Sequence, residues 1–381
     1  MDVRYITSAL TPDVGGPFQS IGGLARHLAA MPDTEVAVMG VVSSGTAWRE
    51  HADNWRGCRF TVCEGRLLQR LACGFRRLES ASASKTPRIL HFGELWNVVA
   101  VLEYRLGRLP GQVIVHSPRG MLEPWSLRHH AFRKNLAWLA GQRSALQRVD
   151  LFHATSTEEI QSIRAAGFRQ PVAFVPNAVT FHEPPPGRVQ SGERTVLALG
   201  RLHRKKGLAD LIRAWSRLAP HDWRLVIAGP DEAGHAAELR HLVAAEQCQG
   251  VELLGPHYGS ERTRLLNRAH LFICSSYSEN FGMVVAEAME RGLAVIATTG
   301  TPWKCLADKG MGWWVKPGVE GLAGALDEAL ALPQVELNRR GELGRRHVED
   351  HLGWPAVASA MRDAYRWVVS GGSPPETIHL P

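Results

Sequence analysis

Four side chains in the second half of the chain have types and spacing suited to binding chemistry: Arg201 and Lys206 can hold a negatively charged group, and Glu279 and Glu287 can accept hydrogen bonds from hydroxyls. The two glutamates lie in Ser275-Ser-Tyr-Ser-Glu-Asn-Phe-Gly-Met-Val-Val-Ala-Glu287. The run before them, Ala269-His-Leu-Phe-Ile-Cys-Ser, reads as a buried parallel strand. The apolar positions after Gly282 recur at helical spacing to about Arg291. Glu279, Asn280, Phe281 and Gly282 therefore form a strand-to-helix turn at the carboxyl end of a parallel sheet, where open α/β sheets bind ligands. Backbone N–H groups at a helix start attract anions or hydroxyl oxygens, and Gly282 lets the main chain come close to a ligand. Arg201 and Lys206 sit in Ala198-Leu-Gly-Arg-Leu-His-Arg-Lys-Lys-Gly-Leu208. There Gly200 ends a strand, and a short loop opens onto a helix over 208–218. Fixed cations at a helix N-terminus stabilise developing negative charge without a metal ion.

The pattern Glu-x7-Glu, followed by Ala-Met-Glu-Arg-Gly-Leu-Ala-Val-Ile-Ala, resembles the signature of the retaining glycosyltransferases of family 4, which have the GT-B fold. The resemblance implies that Glu279 lies against the donor sugar and that backbone groups of Asn280, Phe281, Gly282 and Met283 hold sugar hydroxyls. It also implies that Glu287 holds the ribose of the nucleotide, while Arg201 and Lys206 grip the donor diphosphate. Near the N-terminus, Gly15-Gly16-Pro17-Phe-Gln-Ser20 resembles the family's glycine loop after its first strand. By that likeness Gly15 and Gly16 approach the diphosphate and the reacting centre. Gly255-Pro-His-Tyr258 matches the loop that faces the nucleobase, with Gly255 offering backbone and His257 or Tyr258 a ring for stacking. Pro118-Arg-Gly-Met-Leu-Glu-Pro-Trp-Ser-Leu127 is similar to a subgroup that builds bacterial surface polysaccharides, including lipopolysaccharide. Many relatives carry a His before that glycine where this chain has Arg119. Either Arg119 or His116 contacts the sugar or acceptor, and the sequence leaves open which.

These residues need elements to position them. A chain of 381 residues exceeds one ordinary domain, and two is the natural expectation. Strand-like runs separated by helical patterns number six in each half. They predict two Rossmann-like, doubly wound parallel sheets facing across a cleft. The first domain is placed at 1–181. The proline-rich stretch 182–193 reads as a linker, and the second domain as 194–354. A terminal helix over 355–370 is expected to cross back to the first domain, and the last residues to form a loose tail.

At 45% hydrophobic and 21% charged residues the composition is globular. No apolar run approaches the ~20 residues of a membrane-spanning helix. Six cysteines show no C-x-x-C and no metal-ligand spacing with His, which reads as a reduced, cytoplasmic protein. The net charge of +7 belongs to residues 1–180, which hold 21 Lys and Arg against 14 Asp and Glu. Residues 66–78 form a basic amphipathic pattern with Leu67, Leu71, Phe75 and Leu78 near one face, a form that can lie on an anionic membrane surface. Residues 127–148 read as one basic helix. Nucleic-acid binding fits poorly, because no fold signature accompanies the charge.

The expected activity is retaining transfer of a hexose-type sugar from a nucleotide-diphosphate sugar to a hydroxyl of a saccharide, with a lipid-linked acceptor at the inner face of the cytoplasmic membrane. The chain has no D-x-D, in keeping with the metal-independent GT-B class, and no cofactor is expected. A nucleotide-sugar 2-epimerase of GT-B architecture and a non-catalytic GT-B scaffold are the alternatives.

Overall fold

The computed structural model describes residues 1–79, 88–106, 111–128, 131–183 and 193–381. The chain divides into two compact units. The first is Met1–Ala178 together with Trp354–Pro381, and the second is Val179–Gly353. The division thus falls ahead of the proline-rich stretch. Val179 donates its N–H to the Leu352 carbonyl at 3.0 Å and pairs with Gly353, which ties it to the second unit. Of the expected linker, residues 184–192 lie outside the described residues.

In the first unit β1 (Asp2–Thr7), β2 (Glu35–Val42), β3 (Arg59–Glu64), β4 (Arg88–Phe92), β5 (Gln112–His116), β6 (Leu151–Ala154) and β7 (Val172–Phe174) pair in parallel. In the second, β8 (Arg194–Leu199), β9 (Trp223–Ala228), β10 (Val251–Leu254), β11 (Leu271–Cys274), β12 (Ala294–Thr298) and β13 (Gly312–Val315) form a sheet of order β10-β9-β8-β11-β12-β13. Most of these strands are near-continuous apolar runs because helices cover both faces of such sheets. Strand β3 was not expected from the sequence. It lies at the edge of its sheet, and alternate side chains face solvent. Its pattern therefore lacks the continuous apolar run that marked the others.

The expectation of a loose C-terminal tail is corrected. Strand β14 (Ile378–His379) adds antiparallel to β7, giving the order β14-β7-β6-β5-β4-β1-β2-β3, and Ile378 is buried. Main-chain bonds to an open sheet edge capture a polar segment whose composition alone predicts no order. The terminal helix Trp354–Ser370 packs on the helix Gly16–Ala29. The Trp354 indole stacks on His27 with ring centroids 4.9 Å apart. It occupies the space that any side chain at Gly23 would need. The expected helix over 127–148 is also corrected. The structure shows helices Pro124–Arg128 and Ala131–Ala137, a π-turn Trp138–Gln142 and a last turn Arg143–Leu146. Gly141, at φ 113°, breaks the helical run, and residues 129–130 lie outside the described residues.

Candidate active site

In the second unit the chain starts its sheet at β8 and then builds outward in both directions, to β9 on one side and β11 on the other. The loops after β8 and β11 leave the carboxyl edge of adjacent strands. That is the topological switch point where open α/β sheets bind ligands. The first loop carries Arg201 and Lys206, and the second carries Glu279. The two loops are stitched together. Ser275 Oγ donates to the Lys206 carbonyl at 2.7 Å, and the Tyr277 N–H donates to the Lys205 carbonyl at 2.8 Å.

Gly207 makes this approach possible. It adopts a left-handed conformation (φ 63°, ψ 22°) as the N-cap of the helix Leu208–Leu218. A Cβ there would overlap the Ser275 carbonyl oxygen. Gly207→Ala combines left-handed strain with a backbone collision. We expect a loss of about 2 to 4 kcal/mol of stability together with weaker nucleotide binding. Chemical denaturation and nucleotide titration check this, and a variant that matches the parent in both would refute the tight junction.

Lys206 Nζ lies 2.5 Å from Glu279 Oε1, and Ser276 Oγ donates to the same oxygen at 2.7 Å. The Glu279 N–H donates to the Gly300 carbonyl at 2.7 Å, which fixes the turn from below. Burial by itself would raise the Glu279 carboxyl, but the Lys206 ammonium and the Ser276 hydroxyl hold it below the usual carboxylate range. Burial would lower Lys206, yet Glu279 beside it raises the ammonium above its ordinary value. Both groups are therefore charged at neutral pH. The neighbouring Cys274 thiol is pushed up to about 11, mainly by burial and next by the Glu279 charge, and stays neutral.

Arg201 points elsewhere and donates to Glu232 Oε2 at 2.7 Å. That pair is about half exposed, and such pairs contribute roughly 0 to 1 kcal/mol. Arg201 can therefore leave Glu232 at small cost. Glu287 lies on the helix Met283–Glu290 and is paired with Arg262. Burial raises its carboxyl, and Arg262 opposes that shift without cancelling it. Gly282 caps this helix in the left-handed region at φ 77°.

The Phe281 side chain turns into the core. The ring is buried and meets Trp303 edge-on at 5.3 Å. Trp303 Nε1 in turn donates to the Phe281 carbonyl at 2.6 Å. Only the Phe281 backbone remains for a ligand, and the Thr299–Trp303 loop serves as the buttress of the turn. Met283 likewise packs against the apolar core. Gly255 and Tyr258 are exposed at the carboxyl end of β10, where Tyr258 caps the helix Gly259–Arg268 and the Gly255 carbonyl accepts from the Gly229 N–H at 3.1 Å.

The first unit has a switch point of its own between β1 and β4. Gly15 (φ 82°) caps the helix whose first residue is Gly16, and the space a side chain at Gly15 would take is open. Glu94, after β4, is buried and gathers the loop after β1. It accepts from Thr7 Oγ1 and the Ser8 N–H, each at 2.6 Å, and also from Ser8 Oγ and Asn97 Nδ2. Arg119 follows β5 in a left-handed conformation (φ 50°) unusual for a side chain of its size. Its guanidinium passes over Gly93 and donates to Ser20 Oγ at 2.8 Å. Glu159 holds this turn by accepting from the Gly120 N–H and the Thr155 N–H, each at 2.8 Å. Arg119 is thus the residue placed at the carboxyl-end loops. His116 is corrected: it is fully buried, with Nδ1 2.6 Å from the buried Glu103 carboxylate. It turns into the helix-covered layer and cannot touch a substrate from there.

Beside Arg119 runs a buried polar chain that was not foreseen. His153 Nε2 faces the Val175 carbonyl at 2.8 Å, an acceptor only, so Nε2 carries the proton. In the neutral ring, Nδ1 then accepts from the Ser117 hydroxyl at 2.7 Å. The Ser117 oxygen accepts from His91 Nε2 at 2.6 Å, and His91 Nδ1 accepts from the Tyr365 hydroxyl at 2.6 Å. Tyr365 finally accepts from Tyr5 at 2.7 Å. One backbone carbonyl therefore orients five side chains from β1, β4, β6, the turn after β5 and the terminal helix. Their separation in sequence, from Tyr5 to Tyr365, left no local signal. Ser276 was missed as well, although a hydroxyl three residues before Glu279 is a local signal that could have found it. Arg262 and Glu232 carried no such mark.

The comparisons agree with this arrangement. Residues 15–178 match the family model described as a glycosyl transferase 4-like domain, and residues 182–347 match that of glycosyl transferases group 1. A GDP-mannose:cellobiosyl-diphosphopolyprenol alpha-mannosyltransferase of Komagataeibacter xylinus is 31% identical over 191 residues, a stretch covering 48% of this chain and 47% of that relative. The chain spans half or less of the length of the mannosyltransferases it matches. An alpha-maltose-1-phosphate synthase of Mycolicibacterium smegmatis is 26% identical over 404 residues, covering 97% of this chain and 100% of the relative. The solved structure of sucrose-phosphate synthase from Thermosynechococcus elongatus shares the fold at a TM-score of 0.80 and 21% identity, with 98% of this chain and 100% of that one covered. With both family models matched in order and two parallel α/β units in place, the chain belongs to the family 4 type of glycosyltransferases and has the GT-B fold.

Proposed function

We propose that the protein is a retaining, metal-independent transferase that moves a hexose-type sugar from a nucleotide-diphosphate sugar to a hydroxyl of a lipid-linked saccharide during assembly of a bacterial surface polysaccharide. The meeting of Lys206 with Glu279 at the switch point of the second sheet carries the reading, because it sets a fixed cation and a fixed carboxylate side by side. In the proposed reaction the bond between the sugar C1 and the diphosphate oxygen breaks, and negative charge grows on the leaving phosphate. Lys206, and Arg201 once released from Glu232, meet that charge. The acceptor oxygen attacks C1 from the same face, and its proton passes to the departing phosphate oxygen. Glu279 orients the sugar and Glu287 the ribose. No carboxylate acts as a nucleophile, in contrast to retaining glycosidases. The name of the Komagataeibacter relative, a transferase onto a diphosphopolyprenol-linked sugar, supports a lipid-linked acceptor.

The test is nucleoside-diphosphate release from GDP-, UDP-, ADP- and TDP-sugars, each with and without lipid-linked oligosaccharide. We expect release from one donor that depends on the acceptor, and a product whose anomeric configuration matches the donor's by NMR. An inverted product would overturn the retaining mechanism. A sugar epimerised without acceptor would replace the transferase with an epimerase, and binding without any turnover would leave a scaffold.

A further inference from the structure

Arg119 is a half-buried cation that the first unit leaves without a counter-ion. Its Nη1 donates to the Ser20 hydroxyl at 2.8 Å. That neutral contact is its only hydrogen bond among the described residues, and its Nε–H is buried without a partner. A guanidinium carries five N–H donors, and a charge taken out of water without a partner is costly. A cation kept in that state marks a place prepared for an anion.

Two carboxylates stand near enough to act on Arg119 through space, and both are engaged elsewhere. Glu94 accepts from Thr7 Oγ1, from the Ser8 N–H and hydroxyl, and from Asn97. Glu159 accepts from the Gly120 and Thr155 N–H groups and from Thr155 Oγ1 at 3.0 Å. Burial lowers the Arg119 guanidinium from its ordinary value, and Glu159, then Tyr5 and Glu94, oppose that shift. The charge is retained.

The backbone fixes where this charge goes. Arg119 (φ 50°) and Gly120 (φ 75°) are both left-handed, and the Gly120 N–H is pinned by Glu159. Such conformations persist where the surroundings enforce them, and they cluster at ligand sites. The side chain crosses Gly93 and ends at Ser20, just past the first turn of the helix Gly16–Ala29. That turn holds no acidic residue, and the space beside Gly15 is open. The positive end of this helix favours an anion in the same neighbourhood.

We propose that Arg119 selects an acceptor that bears an acidic group, a phosphate or a carboxylate. The inference rests on the reading of the protein as a sugar transferase in which Arg201 and Lys206 hold the donor diphosphate. Those two residues answer the charge of the donor. Arg119 lies in the other unit, in the half of the chain that holds the whole net charge of +7. It therefore answers a charge that the donor does not account for. A planar guanidinium matches the oxygens of a phosphate or a carboxylate. A saccharide with hydroxyls alone would leave the cation unpaired, so the residue that attracts an acidic acceptor also rejects a neutral one. The acidic group belongs either to the accepting sugar or to the diphosphate of a lipid carrier.

Two measurements on the full-length parent, Arg119→Met and Arg119→Lys test this. The first is calorimetric titration with glucose 6-phosphate and with glucuronate, glucose being the neutral control and GDP or UDP being present at saturation to occupy Arg201 and Lys206. We expect the parent to bind an acidic sugar, the Met variant to bind it at least roughly tenfold more weakly, and the Lys variant to recover part of the loss. The second is kcat/KM for a neutral saccharide and for its carboxylate-bearing counterpart, each free and on a lipid diphosphate. The parent should favour an acidic acceptor by roughly tenfold or more, and the Met variant should lose that preference. A preference between the two saccharides assigns the acid to the sugar, and one confined to the lipid-linked forms assigns it to the carrier; either upholds the proposal. The Met variant should melt no lower than the parent, since it removes a cation without a counter-ion. A parent with no preference, or a Met variant that keeps it, would overturn the proposal. A lower melting temperature with unchanged selectivity would make Arg119 structural, and a loss confined to nucleoside-diphosphate binding would assign it to the donor; both would overturn it as well. Absence of transfer to every acceptor would overturn the transferase reading instead, and the titration would still decide whether Arg119 holds an acidic sugar.

Discussion

Replacing Lys206 by Ala is expected to lower sugar transfer by at least about 100-fold, the scale of losing one preorganised electrostatic contact at a developing charge. Two effects act together. In the proposed mechanism the leaving diphosphate loses a fixed cation. Glu279, whose side chain is only 15% exposed, also loses the partner that holds its charge. With Lys206 gone, burial dominates and the Glu279 carboxyl rises, so part of the population carries a proton where the sugar needs an acceptor. Glu279→Gln should cost a similar factor for a different reason: the cation remains, but the sugar loses a charged hydrogen-bond acceptor. Because the two residues act as a pair, the double variant should lose much less than the product of the single losses. Steady-state kinetics on the four variants measures this. Multiplicative losses would show two independent groups, and a Lys206→Ala enzyme with near-parental turnover would remove the diphosphate assignment altogether. Arg201→Ala is a useful companion. Arg201 is held only by an exposed pair with Glu232, so its loss should appear in catalysis with little change in stability.

The first unit should lose stability in mild acid well before its carboxylates titrate. His91 and His153 are buried in the chain from Val175 to Tyr5 and are required there in neutral form. Burial chiefly, then the neighbouring His153 and Arg119, holds His91 well below its usual value of 6.5. Burial and Arg119 push His153 down to about 4. In the unfolded chain both rings take up protons as pH falls through 6.5, while in the folded unit they do not. The folded state therefore keeps its full stability above 6.5 and loses it as pH falls from there toward 4. Each pH unit in that window costs about 1.4 kcal/mol per ring, so by pH 5 the pair costs roughly 4 kcal/mol. That is a large share of the stability of an ordinary domain. Denaturant unfolding followed from pH 7 to pH 5 checks the slope, and imidazole NMR signals check that His153 stays neutral. A flat stability across this window would contradict the proton arrangement deduced from the Val175 carbonyl.

Sequence and structure divide the account along a physical line. Signals that live within one strand and the following turn were readable directly. The apolar runs that became β1, β2 and β8 to β13 announced themselves because a strand covered on both faces must be apolar throughout. The strand-to-helix turn at Glu279–Gly282 and the loop from Gly200 to Lys206 were recognisable because their residue types are locally constrained. What failed was whatever depends on a distant partner. Strand β14 orders because β7 leaves an open edge, and nothing in its polar composition says so. His116 and Arg119 stand three residues apart and looked interchangeable as site residues. Only the direction of β5 decides that His116 turns inward to Glu103 while Arg119 reaches the loops at the carboxyl end. By itself the sequence determined two parallel α/β sheets, the loops that carry Lys206 and Glu279, and the basic character of the first half. Tertiary structure alone decided that Lys206 closes on Glu279 while Arg201 is held by Glu232. It also decided that Phe132, Leu136 and Leu139 face outward. The reason is that helical spacing defines a stripe but not its direction, which follows from Trp138 packing against Trp96 and Phe168.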